Sequence, residues 1–415
     1  MKGVEDSRLG LYISIPFCRS KCTYCNFASG VYPAGEHHRY VGRLIGDLRK
    51  ADAWTATTGV DLPRSVDTIY LGGGTPSLLA PELIAGLFAA MRAEFSLEPD
   101  AEIAVECAPG QLPDETLEAL VRAGVNRVSL GVQSFIDREA QVSGRLHSRV
   151  TVLDDLRRLR AAGIQNLNVD LIAGLPGQTF ASWEESVNVL VDTGVPHASI
   201  YMLEIDEDSR LGREMLAGGA RYHAGLVPTD DAIAQMYETA LDALSGAGLA
   251  QYEISNFARN GFESRHNLRY WRRRPYLGLG LDASSALPAT DEEDADDVRF
   301  VLRATTTDDL KDYLEGAGGS ETAWLSPERQ FEEAWFLGLR LNCGVRPDAL
   351  CEEFGAQRVE RAMEVVARLA ADGLVVSDGE TVRLTARGRL LSNDVFQEFL
   401  DMVTEAKAFC PATAG

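Results

Sequence analysis

Three cysteines near the start of the chain are close enough in sequence to share one inorganic centre. Cys18, Cys22 and Cys25 follow an apolar run and a proline, with the spacing C-x3-C-x2-C. A 4Fe-4S cluster needs ligands for four iron atoms, so three thiolates from one loop leave the fourth iron open to a small ligand. A zinc site is the alternative, but zinc usually takes four protein ligands in two separated pairs, and no partner pair is evident here. The spacing therefore favours an iron–sulfur cluster with an open iron.

A glycine triplet and several polar residues form the second chemical feature. Gly72-Gly73-Gly74 leads into Thr75, and such glycines expose backbone N–H and C=O groups to a closely approaching ligand. Polar side chains recur further along the chain, at Glu106, Gln133, Arg145 and Asp170. A tight turn, a loop cap or an ion pair would explain any one of them alone. Their repeated position after apolar runs is typical of a site built at strand ends.

The elements that must position these residues alternate between strand and helix. Short β-branched runs predict strands over 11–15, 66–71, 102–105, 127–130, 167–172 and 199–203. Helical patterns lie between them, for example over 114–123, 150–162 and 182–191, and the last two end near Gly163 and Gly194. Six βα units predict a parallel sheet folded as a partial (β/α)6 TIM-like barrel, an α/β fold with its site at the carboxyl ends of the strands.

The second half of the chain has a different pattern. A helix is predicted around 230–245, a strand over 252–254 and a solvated loop at the acidic run 291–297. Helices at 327–341, 347–354 and 359–372 precede a hairpin at 374–384, which predicts a mainly helical, winged-helix-like module. We therefore predict a barrel over 1–230, a connecting region over 231–302 and a C-terminal domain over 303–415.

Composition limits the classes of function. With 40 Lys and Arg against 62 Asp and Glu, the net charge of −22 argues against nucleic acid as a substrate. The sequence has no apolar run long enough to span a membrane and a charged start, which predicts a cytoplasmic protein. Seven cysteines, three clustered and four scattered, do not fit a disulfide framework.

The cysteine loop, with Tyr24 before its last cysteine, resembles the signature of the radical SAM superfamily, and the glycine triplet one βα unit later strengthens the resemblance. The family's glycine loop grips the methionyl amino group of S-adenosylmethionine (SAM). Resemblance to the coproporphyrinogen-oxidase-like branch implies SAM contacts at seven positions: Tyr12, Gly74, Thr75, Glu106, Gln133, Arg145 and Asp170. It implies that Arg145 binds the methionyl carboxylate and that the two carboxylates bind ammonium or ribose hydroxyl groups.

Two groups of this branch have different functions, and the chain resembles both. One is the oxygen-independent coproporphyrinogen III dehydrogenase, which uses SAM-derived radicals for oxidative decarboxylation. The other is the HemW-type heme chaperone, which binds heme and passes it to acceptor proteins. The dehydrogenase has a fourth cysteine where this chain has Phe27, and an N-terminal extension for which 17 residues before Cys18 leave no room. These differences favour the chaperone, and we predict that coproporphyrinogen oxidase activity is absent.

Two further segments resemble the chaperone group. They are Tyr-Glu-Ile-Ser-Asn-Phe-Ala at 252–258 and His-Asn-Leu-Arg-Tyr-Trp at 266–271, the second matching a proposed heme-binding motif. The resemblance implies His266 as a heme ligand, since neutral imidazole is a good axial ligand to heme iron. A packed, hydrogen-bonded structural histidine is the alternative.

The resemblance also implies partners. These are heme, heme-accepting proteins of the respiratory chain, an electron donor and a second copy of the chain in a homodimer. A radical SAM enzyme with another substrate, such as a methyltransferase, is a further alternative that the cysteine loop permits equally well.

Overall fold

Six parallel strands form the centre of the molecule. The computed structural model describes residues 8–293, 299–317 and 319–400. The strands lie side by side in chain order, each parallel to the next. They are Leu9–Ile15 (β1), Ser65–Gly73 (β2), Ser96–Cys107 (β3), Arg127–Gln133 (β4), Asn166–Ala173 (β5) and His197–Met202 (β6). All six agree with the strands that the sequence predicts.

Helices follow the strands and cover the outer face of the sheet. They are Ala34–Thr58 (α1), Pro81–Glu94 (α2), Asp114–Ala123 (α3), Asp137–Val142 (α4), Arg149–Ala161 (α5) and Phe180–Thr193 (α6). Strand residues such as Leu11 and Leu167 share one buried apolar core with helix residues such as Leu44 and Trp183. Gly194 ends α6 with a φ of 66°, the left-handed conformation that favours glycine. Among the described helices, none is long and apolar enough to cross a membrane.

The inner face of the sheet is polar and curved. Tyr70 of β2, Glu106 of β3, Asp170 of β5 and Tyr201 of β6 line a common interior cavity of about 60 Å³. Side chains from strands two to four positions apart can meet only if the sheet bends around them. The architecture is therefore the expected partial (β/α)6 barrel.

Further strands extend the sheet at both ends, and the βα repeat stops after β6 as predicted. The intervening elements are Arg210–Ala217 (α7), Asp230–Gly246 (α8), Ala250–Gln251 (β7), Asn256–Ala258 (β8), Arg265–Trp271 (α9), Tyr276–Leu279 (β9), Ser284–Glu293 (β10), Arg299–Thr305 (β11), Leu310–Glu315 (α10) and Glu321–Leu325 (β12). The sheet order is β12-β11-β10-β9-β1-β2-β3-β4-β5-β6-β8-β7.

The structure departs from two local predictions for this region. The strand predicted over 252–254 is a turn between β7 and β8, because the Glu253 carboxylate accepts hydrogen bonds from Ser255 N (3.0 Å) and the Asn256 side chain. The acidic run predicted as a loop begins inside β10, since the backbone of Glu293 pairs with Arg299 of β11. Residues 294–297 of that run lie outside the described residues.

The C-terminal region has its own apolar core. Its elements are Pro327–Arg340 (α11), Pro347–Phe354 (α12), Ala356–Ala371 (α13), Val375–Ser377 (β13), Val382–Leu384 (β14), Ala386–Leu390 (α14) and Ser392–Gln397 (α15). Phe331, Trp335, Val366 and Phe399 are buried together in this core. Three helices and a hairpin match the predicted helical module. Because β11 and β12 continue the large sheet, we propose a domain boundary near Ser326, later than residue 303.

Candidate functional site

The three cysteines lie on the loop after β1, and all three thiols are half-buried. The loop is closed at its base, where the Cys18 N–H donates to the Gly30 carbonyl at 2.8 Å. The Thr23 carbonyl anchors the middle of the loop by accepting a hydrogen bond from Leu211 N of α7 at 2.8 Å. These backbone contacts hold the thiols in place before any ligand binds.

The three thiols supply the donors that a 4Fe-4S cluster with one open iron needs. Within the described ranges, no three Cys, His, Asp or Glu side chains converge as one bound metal ion would require. A cubane carries its irons at separate corners and needs thiolates spread around it. Burial, with smaller contributions from Cys25 and Cys22, raises the pKa of the Cys18 thiol. A cationic centre is therefore the partner that would keep this thiol ionised.

The glycine loop after β2 packs directly on the cysteine loop. Gly74 N donates to the Ile15 carbonyl at 2.8 Å, and Thr75 N donates to the Phe17 carbonyl at 2.7 Å. A Cβ at Gly74 would lie 2.7 Å from the Ile15 oxygen, so a larger residue would push the two loops apart. The close contact brings the Thr75 hydroxyl to 4.0 Å from the Cys18 sulfur.

Two half-buried carboxylates face the cavity, Glu106 near the end of β3 and Asp170 within β5. Glu106 accepts a hydrogen bond from the Tyr70 hydroxyl at 2.8 Å, and Asp170 accepts one from the Ser129 hydroxyl at 2.9 Å. Burial raises the pKa of Glu106 to about 7, even though the Tyr70 hydrogen bond opposes this shift. Burial also raises the pKa of Asp170. A cationic or hydroxylated ligand would therefore stabilise the charged form of both carboxylates.

Other polar atoms at the same end of the barrel are buried without a hydrogen-bond partner among the described residues. They are the Gln133 Oε1 and Arg145 Nε atoms. Gln133 also has a φ of 69°, a left-handed conformation that is unusual for a residue other than glycine. Buried polar atoms without partners are costly, and a polar ligand would satisfy them. A cationic, carboxylate-bearing molecule such as SAM fits this set of donors and acceptors.

The sequence-predicted SAM residues lie on β1 to β5 or on the segments that follow these strands. Tyr12 lies on β1 beside Tyr70 of β2, and their stacked rings have centroids 6.3 Å apart. Sequence reasoning missed Tyr70 and the inward-facing polar residues Asn168, His197 and Ser199, which hydrogen-bond to one another beneath Asp170. Alternating polar positions in β5 and β6 were the signal that could have found them.

The predicted heme ligand His266 lies in α9, with its ring stacked on Tyr70 of β2. Its side chain is fully buried in α9, with Nδ1 2.9 Å from the Thr68 hydroxyl and Nε2 2.8 Å from the Tyr270 hydroxyl. Burial lowers the pKa of His266 to about 3, so the ring stays neutral. Because both ring nitrogens are occupied and the ring is buried, His266 can ligate heme iron only after one of these hydrogen bonds breaks and the ring becomes accessible.

The partial barrel, the glycine loop and the three-cysteine loop together define a radical SAM protein. The family model described as the Radical SAM superfamily matches residues 12–190, and the HemN C-terminal domain model matches residues 325–391. Membership in this superfamily gives the chain a 4Fe-4S cluster and SAM as its cofactors. The residues that hold these groups are a matter of proposal.

Curated relatives identify the family more narrowly. The chain is 33% identical to the heme chaperone HemW of Lactococcus lactis over 389 residues, which cover 94% of this chain and 96% of that protein. It is 34% identical to HemW of Bacillus subtilis over 395 residues, covering 94% and 98%. The chain therefore belongs to the HemW family. The solved structure of the coproporphyrinogen III oxidase HemN from Escherichia coli has a TM-score of 0.79 at 22% identity, covering 95% of this chain and 91% of that one, and shows the shared fold.

Proposed function

We propose that this chain is a heme chaperone that binds heme and transfers it to acceptor proteins. The observation that carries the proposal is 33–34% identity over 94% of the chain to proteins named heme chaperones. A fold match at 22% identity does not distinguish activities, so the likeness to HemN does not favour the alternative.

Phe27 supports this choice over the coproporphyrinogen dehydrogenase alternative. It lies two residues after Cys25 and its side chain is 61% exposed. The Phe27 carbonyl accepts hydrogen bonds from the Lys21 ammonium at 2.9 Å and from Ser29 N at 2.7 Å, which fix this part of the loop. The loop thus presents an aromatic ring to solvent beside the cysteines, where a fourth thiol would stand in the dehydrogenase.

The residues that would hold the cofactors follow from the site. Cys18, Cys22 and Cys25 would ligate the cluster, and the Arg145 guanidinium and Glu106 carboxylate would bind the methionyl carboxylate and ammonium of SAM. The other four predicted contacts are Tyr12, Thr75, Gln133 and Asp170, with Gly74 shaping the loop. A bound cluster supplies one-electron reducing power beside the SAM sulfonium. The protein's own contribution is to orient SAM and to exclude water from a site whose polar groups are already buried.

Heme titration tests the proposal. The full-length protein, reconstituted anaerobically, is titrated with heme while the Soret band is followed. We expect saturable binding, and we expect the bound heme to pass to an added apo-hemoprotein. Because His266 is sealed in α9, we also expect His266→Ala to retain the Soret band, as should the control His38→Ala at an exposed position.

Absence of saturable heme binding would contradict the chaperone proposal. Loss of the Soret band in His266→Ala alone, with the fold retained by circular dichroism, would instead show that α9 opens and that His266 is the axial ligand. SAM turnover without heme binding would favour a radical SAM enzyme with another substrate.

A further inference from the structure

A chain of contacts runs from His266 of α9 through Tyr70 of β2 to the Glu106 carboxylate. Tyr70 is the central residue, since its hydroxyl donates to Glu106 Oε1 at 2.8 Å. The Tyr70 ring stacks on the His266 ring, with centroids 5.3 Å apart and planes inclined by 25°. His266 is in turn fixed by the Thr68 and Tyr270 hydroxyl groups. Glu106 thus depends on residues from β2 and α9, although neither element carries the carboxylate.

The packing around this set leaves Tyr70 little freedom. A Cβ at Gly72 would lie 2.8 Å from the Tyr70 ring and 3.0 Å from Glu106 Oε1, so the two side chains already fill the space above that glycine. The α9 backbone is also held, because His266 N donates to the buried Glu102 carboxylate at 3.0 Å. A displacement of the His266 ring would therefore remove the stacking contact that holds the Tyr70 ring in place.

We propose that Tyr70 and His266 are positioning residues that hold Glu106 ionised and oriented for the ammonium group of SAM. The inference rests on the proposed SAM site and gives the 266–271 segment a role in building that site. Tyr70 donates a hydrogen bond that favours the charged carboxylate, and the neutral His266 ring keeps the Tyr70 hydroxyl aimed at it.

The charge state of Glu106 makes the role measurable. Burial raises the pKa of Glu106 to about 7, and the Tyr70 hydrogen bond is the largest of the contributions that lower it. Other groups that act on Glu106 or feel its charge are Asp170, Arg145, Tyr12, Tyr201 and Tyr270. Removing the Tyr70 hydroxyl leaves these in place and raises the pKa of Glu106 further. At neutral pH, less carboxylate is then available to pair with an ammonium group.

The test is the dissociation constant of SAM for the full-length, cluster-loaded protein between pH 6 and 8.5, measured by equilibrium dialysis. We expect Tyr70→Phe to weaken binding about two- to tenfold near pH 7, and we expect the difference to shrink as pH rises and Glu106 ionises. Comparing variant with wild type at each pH cancels the titration of the SAM amino group. His266→Ala should shift the profile in the same direction, whereas His266→Phe keeps a flat ring against Tyr70 and should preserve it.

Tyr313→Phe is the matched control, because it removes a tyrosine hydrogen bond to a carboxylate, Asp47, at 2.7 Å outside the site. Tyr70→Phe and wild-type profiles that coincide would overturn the inference while leaving the SAM site intact. A constant loss of affinity at every pH would also overturn it, since this would indicate a packing role without an effect on Glu106. If the wild type binds no SAM, the inference fails together with the proposed SAM site.

Discussion

Cys22→Ala protein, reconstituted anaerobically with iron and sulfide, is expected to retain almost no iron, whereas the wild type retains about four irons per chain. Three thiolates are the fewest that can hold a cubane while leaving one iron open, so the loss of one removes a third of the protein ligands. Iron and sulfide analysis, with the visible absorbance of the purified protein, measures the effect. Cys18→Ala and Cys25→Ala should behave in the same way.

Cys343→Ala is the matched control, because this cysteine is exposed and lies on the C-terminal module, away from the loop. It should retain the full iron content. A Cys22→Ala protein with unchanged iron would show that the cluster has other ligands, and zinc in place of iron in the wild type would favour the zinc alternative.

Arg269→Met is expected to destabilise the protein by about 3–5 kcal/mol, the usual cost of removing one partner from a buried ion pair. The Arg269 side chain is 1% exposed and pairs with Asp67, which is itself buried. It also donates to the Arg8 and Pro275 carbonyls at 2.9 and 2.8 Å, tying α9 to the start of β1 and to β9. The substitution leaves the buried Asp67 charge with only the more distant Arg265, at 3.9 Å, and removes one donor from each of the two carbonyls.

Urea unfolding of the apo protein, followed by tryptophan fluorescence, measures this loss. Arg157→Met serves as control, because Arg157 forms an ion pair with Asp154 but its side chain is 72% exposed. Its stability should change by no more than about 1 kcal/mol. A loss for Arg269→Met as small as that of the control would contradict the view that α9 is a fixed part of the barrel base.

The regular part of the fold was predictable because it depends on local pattern. The run 167–172 alternates apolar and polar residues, a period of two that predicts a strand with one face in the core, and the observed β5 covers that run. The turn at Glu253 was missed because a side chain closes it, an interaction that apolar periodicity does not report. The β10–β12 extension escaped prediction for a related reason, since strand pairing depends on register between distant segments.

The features of the site that depend on local sequence were also predictable, whereas those that depend on distant contacts were not. The three cysteines lie close together in one loop, and the three glycines are consecutive in another. The spacing within each group therefore predicted its loop. The contact between Thr68 and His266 joins positions 198 residues apart, and no local pattern indicates it. For this reason the sequence left both a heme ligand and a packed structural histidine open at His266, and only the structure shows that this ring stacks on Tyr70.

The most direct test of the central claim uses one anaerobic preparation of the reconstituted, full-length protein. Coproporphyrinogen III, SAM and dithionite are added to one portion, and porphyrin products and 5′-deoxyadenosine are measured. Heme is titrated into the other portion. A heme chaperone of the HemW family should bind heme and form no decarboxylated porphyrinogen. Accumulation of protoporphyrinogen without saturable heme binding would contradict the account and identify a coproporphyrinogen dehydrogenase despite Phe27.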